Sequence, residues 1–293
     1  MSGITRREFT AFVSTAVLRA DSRRPDFPFP TEARERLAVA TYPFRKEITA
    51  AKPLAVFAQS IPSRFGVHGI EPWSHHFESL ERDYLRGLHD AFQKAQIRVV
   101  NIPVDIRANL CGTQEERAKA IAAYRQWVEA AIALEAPSIR LHLPRAGKSD
   151  GTDCAESGLR ELAEYGASKN IVINVENDDP QSEQPERIVR VLKAVNSPYL
   201  RALPDFGNSM AIHNDQTYNR QALSLLFPLA YNIAHVKNML QDGKNIYRVD
   251  VDPLFAIAKD SGYKGFFSME WDSEGDPYEG TKHLIEASLR NLA

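Results

Sequence analysis

The chain has 293 residues, 43% of them hydrophobic and 25% charged, and its 36 Lys and Arg against 38 Asp and Glu leave a formal charge of −2. That length and composition suit one large core, and the near-neutral balance excludes the basic surface that DNA, RNA or an anionic membrane would require. No apolar run approaches the ~20 residues that cross a bilayer, so neither nucleic acid nor a membrane is expected as a partner.

Residues 1–30 differ from the rest and read as an N-terminal extension, with the folded domain spanning residues 31–293. Thr5-Arg6-Arg7-Glu8-Phe9 resembles a twin-arginine export motif, followed by the mildly apolar stretch from Thr10 to Leu18. The protein is periplasmic if that motif functions, and cytoplasmic with a basic arm if it does not. Pro25, Pro28 and Pro30 then form a linker.

Leu37 to Tyr42 is the first expected strand, and a short helix is expected near Leu54 to Gln59. The second strand, Gly66 to Glu71, runs into the polar Trp73-Ser74-His75-His76. A helix over about Leu80 to Ala95 carries Tyr84, Leu85, Leu88 and Phe92 on one face, and the third strand, Arg98 to Val104, ends at Asp105. Thr113-Gln114-Glu115-Glu116 is a capping box opening a helix to about Leu134, with Ile121, Tyr124, Val128 and Ile132 expected to face inward. Ser138 to Leu141 is the fourth strand, ending at His142. Cys111 and Cys154 stand in no metal or redox spacing and read as ordinary thiols.

Four further apolar runs each end in one residue able to bind a metal: Ile171–Val175 in Glu176, Tyr199–Pro204 in Asp205, Tyr231–Ala234 in His235, and Gly265–Met269 in Glu270. The intervals of 29, 30 and 35 residues are each about one strand–helix unit. Helices are expected over Ser157 to Ser168, from Pro185, over Gln221 to Ala230 with a break at Pro228, from Asp252-Pro253 to Gly262, and from Asp276-Pro277 to the end. Eight strands alternating with helices make an α/β protein, a (β/α)8 TIM barrel.

A ligand at the end of each successive strand gathers at the mouth of such a barrel. Three carboxylates and one imidazole, Glu176, Asp205, His235 and Glu270, suit one divalent cation, manganese first, with magnesium, cobalt or zinc as alternatives. His142, Lys237, Asn208, Glu71, Asp105 and His76, at or just beyond strand ends, are the candidates for touching substrate, with capping or pairing to Arg107 or Arg145 as the alternative role of Glu71 and Asp105. Trp73 and Trp271 could wall a sugar face or pack under loops.

Asn174-Val175-Glu176-Asn177, Pro204-Asp205-Phe206-Gly207-Asn208, His235-Val236-Lys237-Asn238 and Ser268-Met269-Glu270-Trp271, together with Gly69-Ile70-Glu71, resemble the motifs of the xylose isomerase-like sugar phosphate isomerases and epimerases over about residues 37–292. The resemblance implies a metal held by all four ligands, with Glu176 and Glu270 also moving the proton α to a carbonyl. The expected partner is a small sugar or keto-sugar, and a homo-oligomer is left open. The chain departs from ketose 3-epimerases, which carry a His where it has Asn208, a Glu where it has Ser182 and an Arg where it has Gln241. An elimination on 3-keto-glycosides and a non-catalytic sugar- or metal-binding barrel are the alternatives.

Overall fold

The computed structural model describes residues 24–106, 108–144, 153–178 and 183–293. Arg6, Arg7, Arg107, Arg145 and Ser182 lie outside them. The strands are β1 (Leu37–Ala40), β2 (Gly69–Glu71), β3 (Arg98–Val99), β4 (Ile102–Pro103), β5 (Ser138–His142), β6 (Val172–Glu176), β7 (Leu200–Leu203), β8 (Ile233–Val236), β9 (Met239–Asp242), β10 (Asn245–Arg248) and β11 (Phe266–Met269). β3 and β4 are two halves of one barrel strand: the first pairs with β2 and the second with β5. All barrel pairings are parallel. Leu37 opposite Phe267 joins β11 to β1, and the Asp205–His235 bridge joins the end of β7 to β8. The ring closes as an eight-strand (β/α)8 barrel.

The barrel strands are buried on both faces, which explains why they read as near-continuous apolar runs. Each helix lays one apolar stripe on the ring. In Gln114–Ala133 the stripe passes through Tyr124, Trp127, Val128 and Ala131, so Ile132 falls off it and is 39% exposed, against expectation. The capping box at its start forms as the sequence indicates. The helix expected from Gln221 starts earlier, at Gln216, because Asp215 accepts from the amides of Thr217 and Tyr218; Pro228 sits in a separate 3-10 turn, Phe227–Leu229. Gly262, at φ +75°, ends its helix in the left-handed region that favours glycine.

Three features were not foreseen. Cys111 and Cys154 are disulfide-bonded, with Cα atoms 4.9 Å apart, rather than free thiols. The bond ties the loop after β4 to the loop after β5, neighbours at the mouth. An antiparallel hairpin, β9–β10, stands between β8 and its helix, turning at Gly243-Lys244, with Gly243 at φ +57°. Residues 24–30 lie along the opposite end of the barrel. There Tyr231 Oη donates to the Pro25 carbonyl at 2.7 Å, and the Phe29 ring packs edge-on against Tyr231 and Phe266.

Candidate metal centre

A side chain at the C-terminal end of a parallel strand points across the mouth, and four such positions converge here. Ligand atoms of Glu176, Asp205, His235 and Glu270 all lie within 4.8 Å of one another, and all four residues are buried. His235 Nδ1 is 2.7 Å from Glu176 Oε1, 2.9 Å from Glu270 Oε2 and 3.7 Å from Asp205 Oδ2. The backbone prepares Asp205: its Oδ1 accepts from the amides of Gly207 and Asn208 at 2.8 and 2.7 Å, leaving Oδ2 turned to the cluster.

Three buried carboxylates this close need positive charge beside them. Lys237 Nζ lies 3.3 Å from Asp205 and 3.2 Å from Glu270, and donates to Asn208 Oδ1 at 2.7 Å. Arg140 Nε lies 2.8 Å from Glu176 Oε2. Burial alone would raise the Glu176 and Glu270 carboxyls, but the neighbouring cations hold both below the usual range. Asp205 is different. Burial, only partly offset by Lys237, pushes it up to about 7. Burial works against the charge on His235, yet Glu71, Glu270 and Glu176 raise it well above an ordinary histidine.

The donor set fits a divalent cation. Asp205 Oδ2 and Glu270 Oε2 are buried and accept no hydrogen bond, and both face the same cluster. Three carboxylates and an imidazole are hard and borderline donors of the kind that hold magnesium, manganese, cobalt or zinc.

Above the cluster opens a cavity of about 630 Å³, whose lining includes Tyr42, Asp105, Arg140, Asp178, Asn208, Lys237 and Asp272 besides Glu176 and Glu270. Of the residues expected to touch substrate, Lys237, Asn208 and Asp105 line it. His142 stands at its rim, with Nε2 2.7 Å from Asp105 Oδ1 and Nδ1 3.1 Å from Asp178 Oδ2. Asp105 also pairs with Arg140 and accepts from Trp73 Nε1 at 2.5 Å. Glu71 does not line the cavity; it is wholly buried behind His235. Nor does His76, whose Nδ1 meets Thr41 Oγ1 at 2.8 Å and whose ring packs edge-on against Trp73. Trp271 packs against Gly280 of the last helix, Pro277–Leu292, where a Cβ would meet the indole at 2.4 Å, so it packs under that helix rather than walling the cavity.

Arg140 and Asp178 were missed. Each lies two residues from a residue already singled out, Arg140 before His142 and Asp178 after Glu176, and the period of two along a strand puts alternate side chains on one face. That spacing was the available signal.

The xylose isomerase-like TIM barrel model matches residues 63–292. Among solved structures, the chain is similar to a xylose isomerase-like TIM barrel protein from Mycobacterium smegmatis in complex with magnesium: TM-score 0.64, 16% identity, covering 82% of this chain and 89% of that one. It is similar to 3-keto-D-glucoside 4-epimerase from E. coli, with a TM-score of 0.66 and 16% identity over 87% and 99% of the two chains. It is also similar to a D-allulose 3-epimerase from Methylomonas sp. in complex with D-allulose, with a TM-score of 0.68 and 16% identity over 92% and 100%. No curated protein matches it in sequence.

Proposed function

The chain belongs to the xylose isomerase-like TIM barrel family, and from that premise we propose that it is a metal-dependent sugar epimerase or isomerase acting by proton transfer α to a carbonyl. The observation that carries this reading is the presence of two glutamates, Glu176 and Glu270, on strands three apart around one ligand cluster. Binding a metal alone would not call for a carboxylate on each side.

The metal, manganese being the first candidate, would be held by Glu176, Asp205, His235 and Glu270, and when bound it supplies Lewis-acid stabilisation for charge building on a carbonyl oxygen. The chain's own residues do the rest. One glutamate takes the proton from the substrate carbon and the other returns a proton to the opposite face, which inverts that carbon. One glutamate therefore starts ionised as the base and the other protonated as the acid, and their states exchange with each turnover; Arg140 beside Glu176 and Lys237 beside Glu270 stabilise the ionised form of each. Asn208, held by Lys237, presents its amide to Asp178 at 3.2 Å and narrows the mouth where ketose 3-epimerases carry a histidine.

Six carboxylates in the cavity lining face Arg140 and Lys237 as the cations. That balance disfavours a phosphate, so the substrate is an unphosphorylated keto-sugar. A second reading, elimination from a 3-keto-glycoside, draws on His142: gripped between Asp105 and Asp178, it is placed to protonate a leaving oxygen.

The test is a set of unphosphorylated ketoses, aldoses and 3-keto-glycosides incubated with the Mn2+-loaded protein in heavy water and read by NMR. Exchange of one substrate C–H with inversion supports epimerisation. Release of the aglycone supports elimination, and no exchange in any sugar rejects both. The same metal reading expects Asp205→Ala to bring down bound metal, measured by elemental analysis.

The disulfide adds support for export. Such bonds persist in oxidising compartments, and the Arg6-Arg7 motif offers a route to the periplasm. Fractionation of cells carrying Arg6→Lys/Arg7→Lys tests it; an unchanged location rejects it.

A further inference from the structure

Glu71 has no obvious reason to be a carboxylate. It sits at the end of β2, fully buried and outside the cavity lining, where an isolated charge is costly. Its Oε1 lies 2.9 Å from His235 Nε2 and accepts from Asn101 Nδ2 at 2.8 Å. The other ring nitrogen of His235, Nδ1, is the one turned toward Glu176, Glu270 and Asp205. The imidazole therefore bridges two carboxylate environments, one at the ligand cluster and one behind it.

Resting on the four-ligand metal reading, we propose that Glu71 is the positioning residue of the site. By accepting the Nε2 proton of His235 it fixes the tautomer whose Nδ1 lone pair faces the metal, and it strengthens that nitrogen as a donor. Asn101 holds Glu71 in turn. Ser138 Oγ donates to Asn101 Oδ1, which leaves the Asn101 amide N–H as the group that meets Glu71. A merely structural carboxylate would be equally served by an amide, because Asn101 and His235 both offer donors to a neutral oxygen.

The test is Mn2+ affinity, read from the EPR signal of free ion, in wild type, Glu71→Ala and Glu71→Gln. Glu71→Ala is expected to weaken binding about 10–100-fold. Glu71→Gln keeps an acceptor for Nε2–H without the charge and is expected to fall between Ala and wild type. In parallel, NMR of 15N-histidine-labelled, Zn2+-loaded protein should show the His235 Nε2–H proton shifted downfield by its bond to Glu71 in wild type and moved upfield in Glu71→Ala. Wild-type affinity in both variants overturns the proposal, as does weaker binding with the His235 Nε2–H resonance unchanged. If Glu71→Ala fails to fold, undiminished affinity in Glu71→Gln overturns it alone. A wild-type protein that binds no Mn2+ removes the four-ligand reading itself, which separates that failure from this one.

Discussion

At the mouth of the barrel, Glu176, Asp205 and Glu270 stand against His235, Lys237 and Arg140; deeper inside, Asn101, Ser138, Asn174 and Asn232 bond to one another. Both regions are polar and both are buried. The inner layer is neutral, so short hydrogen-bonded links satisfy most of it: Asn232 donates to Ser138 Oγ at 2.7 Å, and Asn174 donates to Asn232 at 3.1 Å. The mouth is charged, and there Asp205 Oδ2 and Glu270 Oε2 accept no hydrogen bond; they are met by the positive charges of Lys237, 3.3 and 3.2 Å away, and His235. The neutral network is satisfied by directed hydrogen bonds and touches the charged groups through Asn101, which donates to Glu71. The charged one is held by ion pairs, which balance charge without filling every acceptor.

The contrast breaks most sharply on turnover. Glu176→Gln and Glu270→Gln each keep an oxygen for the metal but remove the base, so each should retain much of the metal while losing about 10²–10⁴-fold in turnover. Steady-state kinetics beside metal analysis decides it: near wild-type rates in both would leave a silent or purely Lewis-acid site. The rim is tied covalently as well as by charge. The disulfide spans 43 residues, and its loss in Cys111→Ser/Cys154→Ser should lower unfolding free energy by up to about 4 kcal/mol in urea titrations. An unchanged midpoint would mean that the Arg187–Asp153 pair at 2.6 Å already holds the rim loop.

In the inner layer, Asn232→Ala strands Ser138 and Asn174. It should cost about 1–3 kcal/mol of stability, with Mn2+ affinity falling far less than in a ligand variant because Ser138 still holds Asn101. A fall in affinity as large as that of a ligand variant would show that the two regions are not separable. The smallest effect concerns His76. Burial, with His75 nearby, lowers it to about 4, so between the ordinary value of 6.5 and 4 the unfolded chain binds a proton that the folded chain does not. Stability should therefore drop as pH falls from about 6.5 to 4 and be indifferent to His76 above that window. Melting curves of wild type and His76→Gln across that range should diverge in slope.

The four-residue cluster was legible because a barrel gathers its strand ends at one mouth, and Glu176, Asp205, His235 and Glu270 each close an apolar run. Lys237, two residues past His235, followed from the same rule. Arg140 did not, because one charge inside a buried strand reads as a neighbour's surface partner until its counter-ions are known. The disulfide was illegible for a different reason: Cys111 and Cys154 become neighbours only because consecutive mouth loops stand side by side. The hairpin had a local signal, Gly243 in the two-residue turn Gly243-Lys244 between two short runs, but its strands are exposed or half-buried except Leu240 and lack the apolar pattern of the barrel. Glu71 was seen as a strand-end carboxylate, yet nothing in the chain indicates that it faces the back of an imidazole.

The clasp formed by residues 24–30 also bears on where the chain can be cut. Pro25 is gripped by Tyr231, and Phe29 shields Phe266 together with Ala38, Val100, Leu203 and Ile233. A cut between 25 and 30 would expose an aromatic face at the closed end of the barrel, far from the chemistry. A chain beginning at Thr31 should therefore melt below one that keeps residues 24–30, and thermal unfolding of the two reads the difference.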